Sequence, residues 1–73
     1  MNIEDAEEGM NVVPSQACPP YMRFSGGILV GVQKDDDGQV IHPPLLVKGV
    51  FPVTGAALVS MYLQEVEPAG DDA

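Results

Sequence analysis

The stretch that decides the fold is residues 22–34, with the sequence MRFSGGILVGVQK. Apolar residues recur there at every second position, so that Phe24 and Ile28 fall on one side of an extended chain and Leu29 falls on the other. Side chains of a β-strand alternate in this way between the two faces of a sheet. The stretch therefore predicts a strand, and the pair Gly26-Gly27 predicts a bulge or bend within it.

A turn and a second extended segment follow this strand. Residues 34–38, KDDDG, predict the turn because Asp bonds to nearby backbone groups and Gly accepts a positive φ. Residues 39–53 alternate again, but Pro43-Pro44 interrupts the alternation, which predicts two strands or one edge strand with a break. A turn that closes symmetrically places Val32 opposite Val40, and a register shifted by one residue is the alternative.

The segment 55–67 fits two kinds of secondary structure. As a helix it has an N-cap at Thr54, alanines in its first turn and a stop at Pro68. As a strand it has an alternation in which Val59 and Met61 share one face. The cap and the alanines favour the helix. Such a helix would be apolar around most of its circumference and would need burial on more than one side.

These segments combine into a small α+β fold, with a mostly β fold as the alternative. Residues 1–21 are predicted to form an extended acidic arm, because the prolines at 14, 19 and 20 disfavour helix and remove ladder donors. Residues 22–67 are predicted to form a small antiparallel sheet or β-hairpin with one C-terminal helix. Residues 68–73 are predicted to form an acidic tail.

Composition and charge exclude several classes of protein. The chain has 73 residues, enough for one domain, and a net charge of -8 from 11 acidic and 3 basic side chains. Three cations are too few for the clustered basic surface of a direct nucleic-acid binder. The single cysteine excludes an intramolecular disulfide framework. No apolar run reaches the ~18 residues that a membrane-spanning helix needs.

No combination of residues predicts catalysis, a metal site or a cofactor. Residues Asp35 to Gly38 have the acidic start of a calcium loop, but the twelfth position is Leu46, so a solvated hairpin tip is favoured. Cys18 and His42 are formally a nucleophile pair, but no third group orients them, and structural roles are favoured. We therefore expect a protein that is not an enzyme, with no catalytic, metal-binding or cofactor-binding residues.

The small size of the chain predicts an interface. A domain this short buries only about 60% of its unfolded surface and usually needs association when disulfides and metals are missing. The sheet face that carries Leu29, Leu46 and Val50 would need cover, from a partner or from the helix of the same molecule. The predicted interface consists of apolar side chains, including the aromatic ones that are common at interface centres: Tyr21, Met22, Phe24, Leu29, Leu46, Val50 and Tyr62.

These features predict a non-enzymatic interaction protein that is a subunit of a larger assembly, such as the cement or decoration layer of a virus-like shell. Its partner would be another protein or a second copy of the chain, with no nucleic acid and no membrane bound directly. The alternative is a small acidic inhibitor that occludes a host enzyme or a nucleic-acid-binding protein, including by mimicry of nucleic acid. Because no basic segment begins a secretion signal, the expected location is the cytoplasm or the virion.

Overall fold

The computed structural model describes residues 1–69, which form a single antiparallel sheet of five strands. The strands are β1 (Asn11–Pro14), β2 (Ser25–Lys34), β3 (Val40–Phe51), β4 (Gly55–Met61) and β5 (Val66–Pro68), and the sheet order is β4-β3-β2-β1-β5. Three short 3-10 helices complete the described residues: Ile3–Asp5, Pro20–Met22 and Leu63–Glu65. The fold is therefore mostly β, and the α+β prediction is wrong.

The hairpin of β2 and β3 forms the centre of the sheet. The alternation correctly predicts an extended segment on each side of the turn, but Val40–Phe51 is a single strand paired on both sides, so the prediction of two strands or of one edge strand with a break is wrong. Its turn is held by Asp35, whose carboxylate oxygen Oδ1 accepts hydrogen bonds from the backbone N–H groups of Asp37 and Gln39, each at 2.9 Å. Gly38 has a φ of 83°, a conformation that other residues adopt only at a cost. The Asp35 carboxylate and Gly38 thus stabilise the hairpin tip through local interactions.

The predicted register of this hairpin is wrong. Val32 lies opposite Leu45, whereas Val40 lies opposite Lys34. Between these two pairs β3 has more residues than β2, and the extra ones include Pro43-Pro44, which has no N–H to donate to a ladder. A register shift decides which residues face inward. Because of this bulge, Val32 pairs with Leu45, whereas symmetric closure of the turn would pair it with Val40.

The predicted C-terminal helix is also wrong, because residues 55–67 form β4, the 3-10 helix Leu63–Glu65 and the beginning of β5. β4 runs antiparallel to β3 with Met61 opposite Leu45, and both side chains are fully buried. As a strand, the segment needs burial on one side only. Tertiary pairing therefore outweighs the helix propensity of the alanines and the cap at Thr54.

Part of the predicted N-terminal arm, residues 1–21, belongs to the sheet, because Asn11–Pro14 is a strand between β2 and β5. Val12 in this strand is 2% exposed and belongs to the core. Pro14 is tolerated because β1 pairs with β5 alone at this position, so that one side of the strand has no ladder in which an N–H group is needed. The predicted acidic tail begins at Pro68, which belongs to β5, and residues 70–73 lie outside the described residues.

The core gathers buried side chains from all five strands and from Cys18 and Phe24, which lie between β1 and β2. The centroids of the Phe24 and Phe51 rings lie 5.4 Å apart in a tilted arrangement. A Cβ atom on Gly27 would lie 2.2 Å from Cε2 of Phe24, so only glycine leaves room for this ring. The buried apolar residues are Val12, Cys18, Phe24, Leu29, Leu45, Val47, Phe51, Met61 and Val66.

Candidate protein-docking face

The outer face of β2, β3 and β4 carries aliphatic side chains that the core does not cover. The pairing places Ile28 opposite Lys48, Lys48 opposite Leu58, and Val50 opposite Ala56. Ile28, Val50 and Leu58 are 43%, 54% and 55% exposed. Opposite residues on one face of an antiparallel pair have Cβ atoms about 4.5–5.5 Å apart. These five residues therefore form one continuous surface, called here the outer patch.

A groove of about 670 Å³ lies in the outer patch. Small residues such as Gly26, Gly49 and Ala57 contribute to its lining and leave space between the larger aliphatic side chains. At Gly26 this space is open, since a Cβ atom built there meets no atom within 4 Å. Of the described residues that line the groove, Lys48 alone is charged. The site is thus an apolar depression with one ammonium group.

Within residues 1–69, the exposed acidic side chains lie elsewhere on the molecule. The carboxylates within residues 4–8, those of the hairpin tip at residues 35–37 and that of Glu67 in β5 are all exposed. None of these residues lines the groove. Opposite charges attract a partner and like charges repel it, so the two surfaces differ in the partners that they favour. The outer patch is the uncharged to positive part of a chain with a net charge of -8.

Some of the predicted interface residues reach the surface, at three separate places. Val50 belongs to the outer patch, and the half-buried Leu46 lies on the same side of β3. Tyr21 and Met22 line a separate hollow of about 300 Å³ next to the turn between β3 and β4. Tyr62 follows the end of β4 and is 47% exposed. Exposed aromatic and Met residues therefore do not gather into one site.

The other two predicted interface residues are in the core. Phe24 is 3% exposed and Leu29 is 0% exposed. Both are enclosed by the molecule itself. Leu29 lies opposite Val47 on the inner side, whereas its neighbour Ile28 faces outward. The alternation along β2 separates these two side chains but does not show which of them points inward.

Sequence reasoning missed most of the outer patch. The alternation predicts only that Ile28 shares a face of the strand with Phe24, and Leu58 falls in the predicted helix. The signal that identifies them is their position in the sheet register, since Lys48 lies between them. A lysine between two aliphatic residues becomes visible only when the three strands are aligned.

Cys18 is a buried residue of the hydrophobic core. Cys18 is 4% exposed, and desolvation by burial raises the pKa of its thiol, with a smaller contribution in the same direction from the negative charge of Glu65. The positive charge of Arg23 acts in the opposite direction. His42, the other member of the possible nucleophile pair, is exposed in β3. A protonated, buried thiol is a poor nucleophile.

We expect native Cys18 to react slowly with a thiol reagent at pH 8. A raised pKa keeps a smaller fraction of the thiol ionised in the folded chain than in the unfolded chain, and burial limits access. Labelling should accelerate by about tenfold or more in denaturing urea. The measurement is the rate of absorbance change with a chromogenic disulfide, and equal rates in native and denaturing buffer would contradict the burial of this side chain.

Neither a metal centre nor a membrane span emerges from the described residues. Within residues 1–69, no group of three or more His, Cys, Asp or Glu side chains is placed to hold a metal ion. None of the helices in this range has the length and apolar character needed to cross a bilayer. Comparison of the chain with models of protein families, with curated proteins and with solved structures finds no match. A role for the outer patch therefore has to be inferred from its own residues.

Proposed function

We propose that this protein is a non-enzymatic binding subunit of a larger protein assembly, such as a cement or decoration subunit of a virus-like shell, and that it docks through the outer patch. The groove carries the proposal, because it is apolar, open to solvent and formed by three neighbouring strands. Single exposed apolar residues are normal on monomers. Contiguous apolar surface with a defined shape is typical of protein interfaces.

The composition of the outer patch specifies the chemistry of the partner. Covering Ile28, Val50 and Leu58 removes aliphatic surface from water, which is favourable by roughly 25 cal/mol per Å². Covering Lys48 without an acceptor would leave an unpaired ammonium, and that is strongly unfavourable. The partner therefore needs an apolar surface with one carboxylate or several carbonyl oxygens positioned near Lys48.

A second function, inhibition of a basic protein, would use a different surface. The exposed carboxylates at residues 4–8 and 35–37 are the groups available for it. Attraction between these groups and a basic protein is screened by salt, with a Debye length of about 8 Å at physiological ionic strength. Binding through the outer patch depends mainly on apolar contact and should be much less sensitive to salt.

The proposal is tested with Val50→Glu and the matched control Val53→Glu. Both valines are exposed, at 54% and 77%, but only Val50 lies in the outer patch. In extracts of the natural source, we expect the unmodified chain and Val53→Glu to elute from gel filtration with a large particle. Val50→Glu should elute at the size of the free protein, because the new carboxylate would be desolvated at the interface.

The same experiment separates the two functions. Co-elution that survives Val50→Glu but is lost in high salt would support the acidic inhibitor and reject docking through the outer patch. Neutralising the acidic residues within 4–8 to their amides should leave the co-elution unchanged if the outer patch is the docking surface. Elution of the unmodified chain as a free protein would contradict the assembly itself.

A further inference from the structure

We propose that two copies of this chain associate through the free edge of β4, which becomes the junction of one continuous antiparallel sheet. Within residues 1–69, β4 is the last strand in the sheet order and pairs with β3 alone. An edge strand presents a row of unpaired N–H and C=O groups on its free side. Among the described residues, no backbone group outside β3 forms a hydrogen bond with residues 55–61.

The opposite edge of the sheet has the features that prevent strand addition. β5 is only three residues long, Glu67 in it is exposed, and Pro68 has no N–H to donate. β4 has none of these features. It is seven residues long, with the sequence GAALVSM, and contains neither a charged residue nor a proline. Only one of the two edges is therefore suited to accept another strand.

The distribution of charge makes a second copy of the chain a suitable occupant of this edge. Two copies with a net charge of -8 repel each other wherever their acidic segments meet. Residues 49–64, which include β4 and the segments on either side of it, contain no Asp, Glu, Lys or Arg. Two copies can therefore meet along β4 without bringing their acidic segments together, which contact through residues 4–8 or 35–37 would do. The two Lys48 side chains, each opposite Leu58, would be three strand spacings apart, about 14 Å.

The sequence of β4 is complementary to itself. A twofold axis at Leu58 places the two Leu58 side chains opposite each other in an antiparallel pair. The same axis places Ala57 opposite Val59 and Ala56 opposite Ser60, so that each small residue faces a small or medium-sized one. Such a contact uses the same surface on both copies, as a symmetric dimer requires. Each exposed Leu58 would be covered by the other, and the two outer patches would become one surface.

The area available predicts a weak dimer. A seven-residue strand is about 23 Å long at about 3.3 Å per residue, and the smallest dimension of the molecule is 20 Å. Side-by-side contact over these dimensions buries roughly 460 Å² per copy and roughly 900 Å² in total, below the roughly 1,200 Å² of stable specific interfaces and in the range of weak ones. The dimer should therefore form at micromolar to millimolar concentrations. The dimer is an additional property of the chain and does not depend on docking into an assembly. It uses the free backbone groups at the edge of β4.

The test is sedimentation equilibrium of the full chain from micromolar to millimolar concentration. The average mass should rise from 7.7 kDa toward twice that value. Leu58→Lys places a charge at the twofold axis, where two lysines would face each other, and should raise the dimer dissociation constant by about tenfold or more. The control Val13→Lys alters a 39% exposed residue on β1 and should dimerise like the unmodified chain. Circular dichroism establishes that each variant is folded, and Ala56→Lys provides a second variant of β4.

Three outcomes would overturn the dimer. The first is a mass that stays at 7.7 kDa up to millimolar concentration, which would leave the edge of β4 for a strand of a different protein. The second is dimerisation of both β4 variants with the affinity of the unmodified chain. The third is an equal loss of affinity in Val13→Lys, which would show that added positive charge matters and its position does not. None of these results depends on whether the chain co-elutes with a larger particle.

Discussion

Replacement of Leu45 by alanine is expected to destabilise the folded protein by about 2–5 kcal/mol. Leu45 is fully buried and is paired on both sides, with Val32 of β2 and with Met61 of β4. Its removal leaves a cavity between the three strands that form most of the sheet. A 73-residue protein has a free energy of unfolding of roughly 4–11 kcal/mol, so this one substitution removes a large part of the total.

The matched control for this variant is Ile41→Ala in the same strand. Ile41 is 44% exposed, so truncation removes little buried surface and should change the free energy of unfolding by about 0.5 kcal/mol or less. Urea denaturation followed by circular dichroism measures both variants. Equal destabilisation of the two would contradict the orientation of β3, in which Leu45 faces the core and Ile41 faces solvent.

Replacement of Gly27 by alanine is expected to cost about 1–3 kcal/mol, because the new methyl group overpacks the core. Its Cβ atom would lie 2.2 Å and 2.6 Å from two atoms of the Phe24 ring, and 3.0 Å from the carbonyl oxygen of Val12. The ring is 3% exposed and packs against Phe51, so it has little room to move. With a urea slope near 1 kcal/mol per molar, the midpoint should fall by roughly 1–3 M.

Gly31→Ala, in the same strand, controls for the loss of glycine itself. A Cβ atom at Gly31 would meet no atom within 4 Å, and the residue does not have a positive φ. Alanine there should leave stability unchanged or raise it by up to about 1 kcal/mol, because the unfolded chain loses conformational freedom. A Gly27→Ala variant as stable as Gly31→Ala would show that Phe24 does not occupy the position described.

Local features of the chain were predictable because their causes lie within a few residues. The strand β2 follows from alternation over ten residues, and the tip follows from Asp35 and Gly38, whose hydrogen bonds and φ need no distant partner. The register of the same hairpin was not predictable. It depends on how the bulge around Pro43-Pro44 is accommodated against β2, and symmetric closure of the turn ignores that bulge.

Elements with distant partners were misassigned. β1 pairs with β5 across more than fifty residues of sequence, with Val13 opposite Glu67. No residue close to Val13 in the sequence indicates this pairing. β4 has alanines and a possible cap, and these local preferences are weak compared with the burial gained by pairing with β3. Burial of apolar surface in a shared core decided the structure of both segments.

The candidate docking site was likewise predictable only in part. The expectation that apolar surface remains exposed came from composition and length, and Val50 was among the residues named for it. The identity of its neighbours required the sheet, because Ile28, Lys48 and Leu58 are far apart in sequence and adjacent only across three paired strands.

By itself, the amino-acid sequence determined the central strand, the aspartate-glycine turn and the separation of acidic from apolar segments. Each of these depends on neighbouring residues or on simple counts. Only the tertiary structure decided that residues 55–61 form a strand with a free edge, that residues 11–14 lie inside the sheet, and that Leu29 points inward while Ile28 points outward. The physical reason is that alternation defines two faces of a strand, whereas the rest of the chain determines which face is buried.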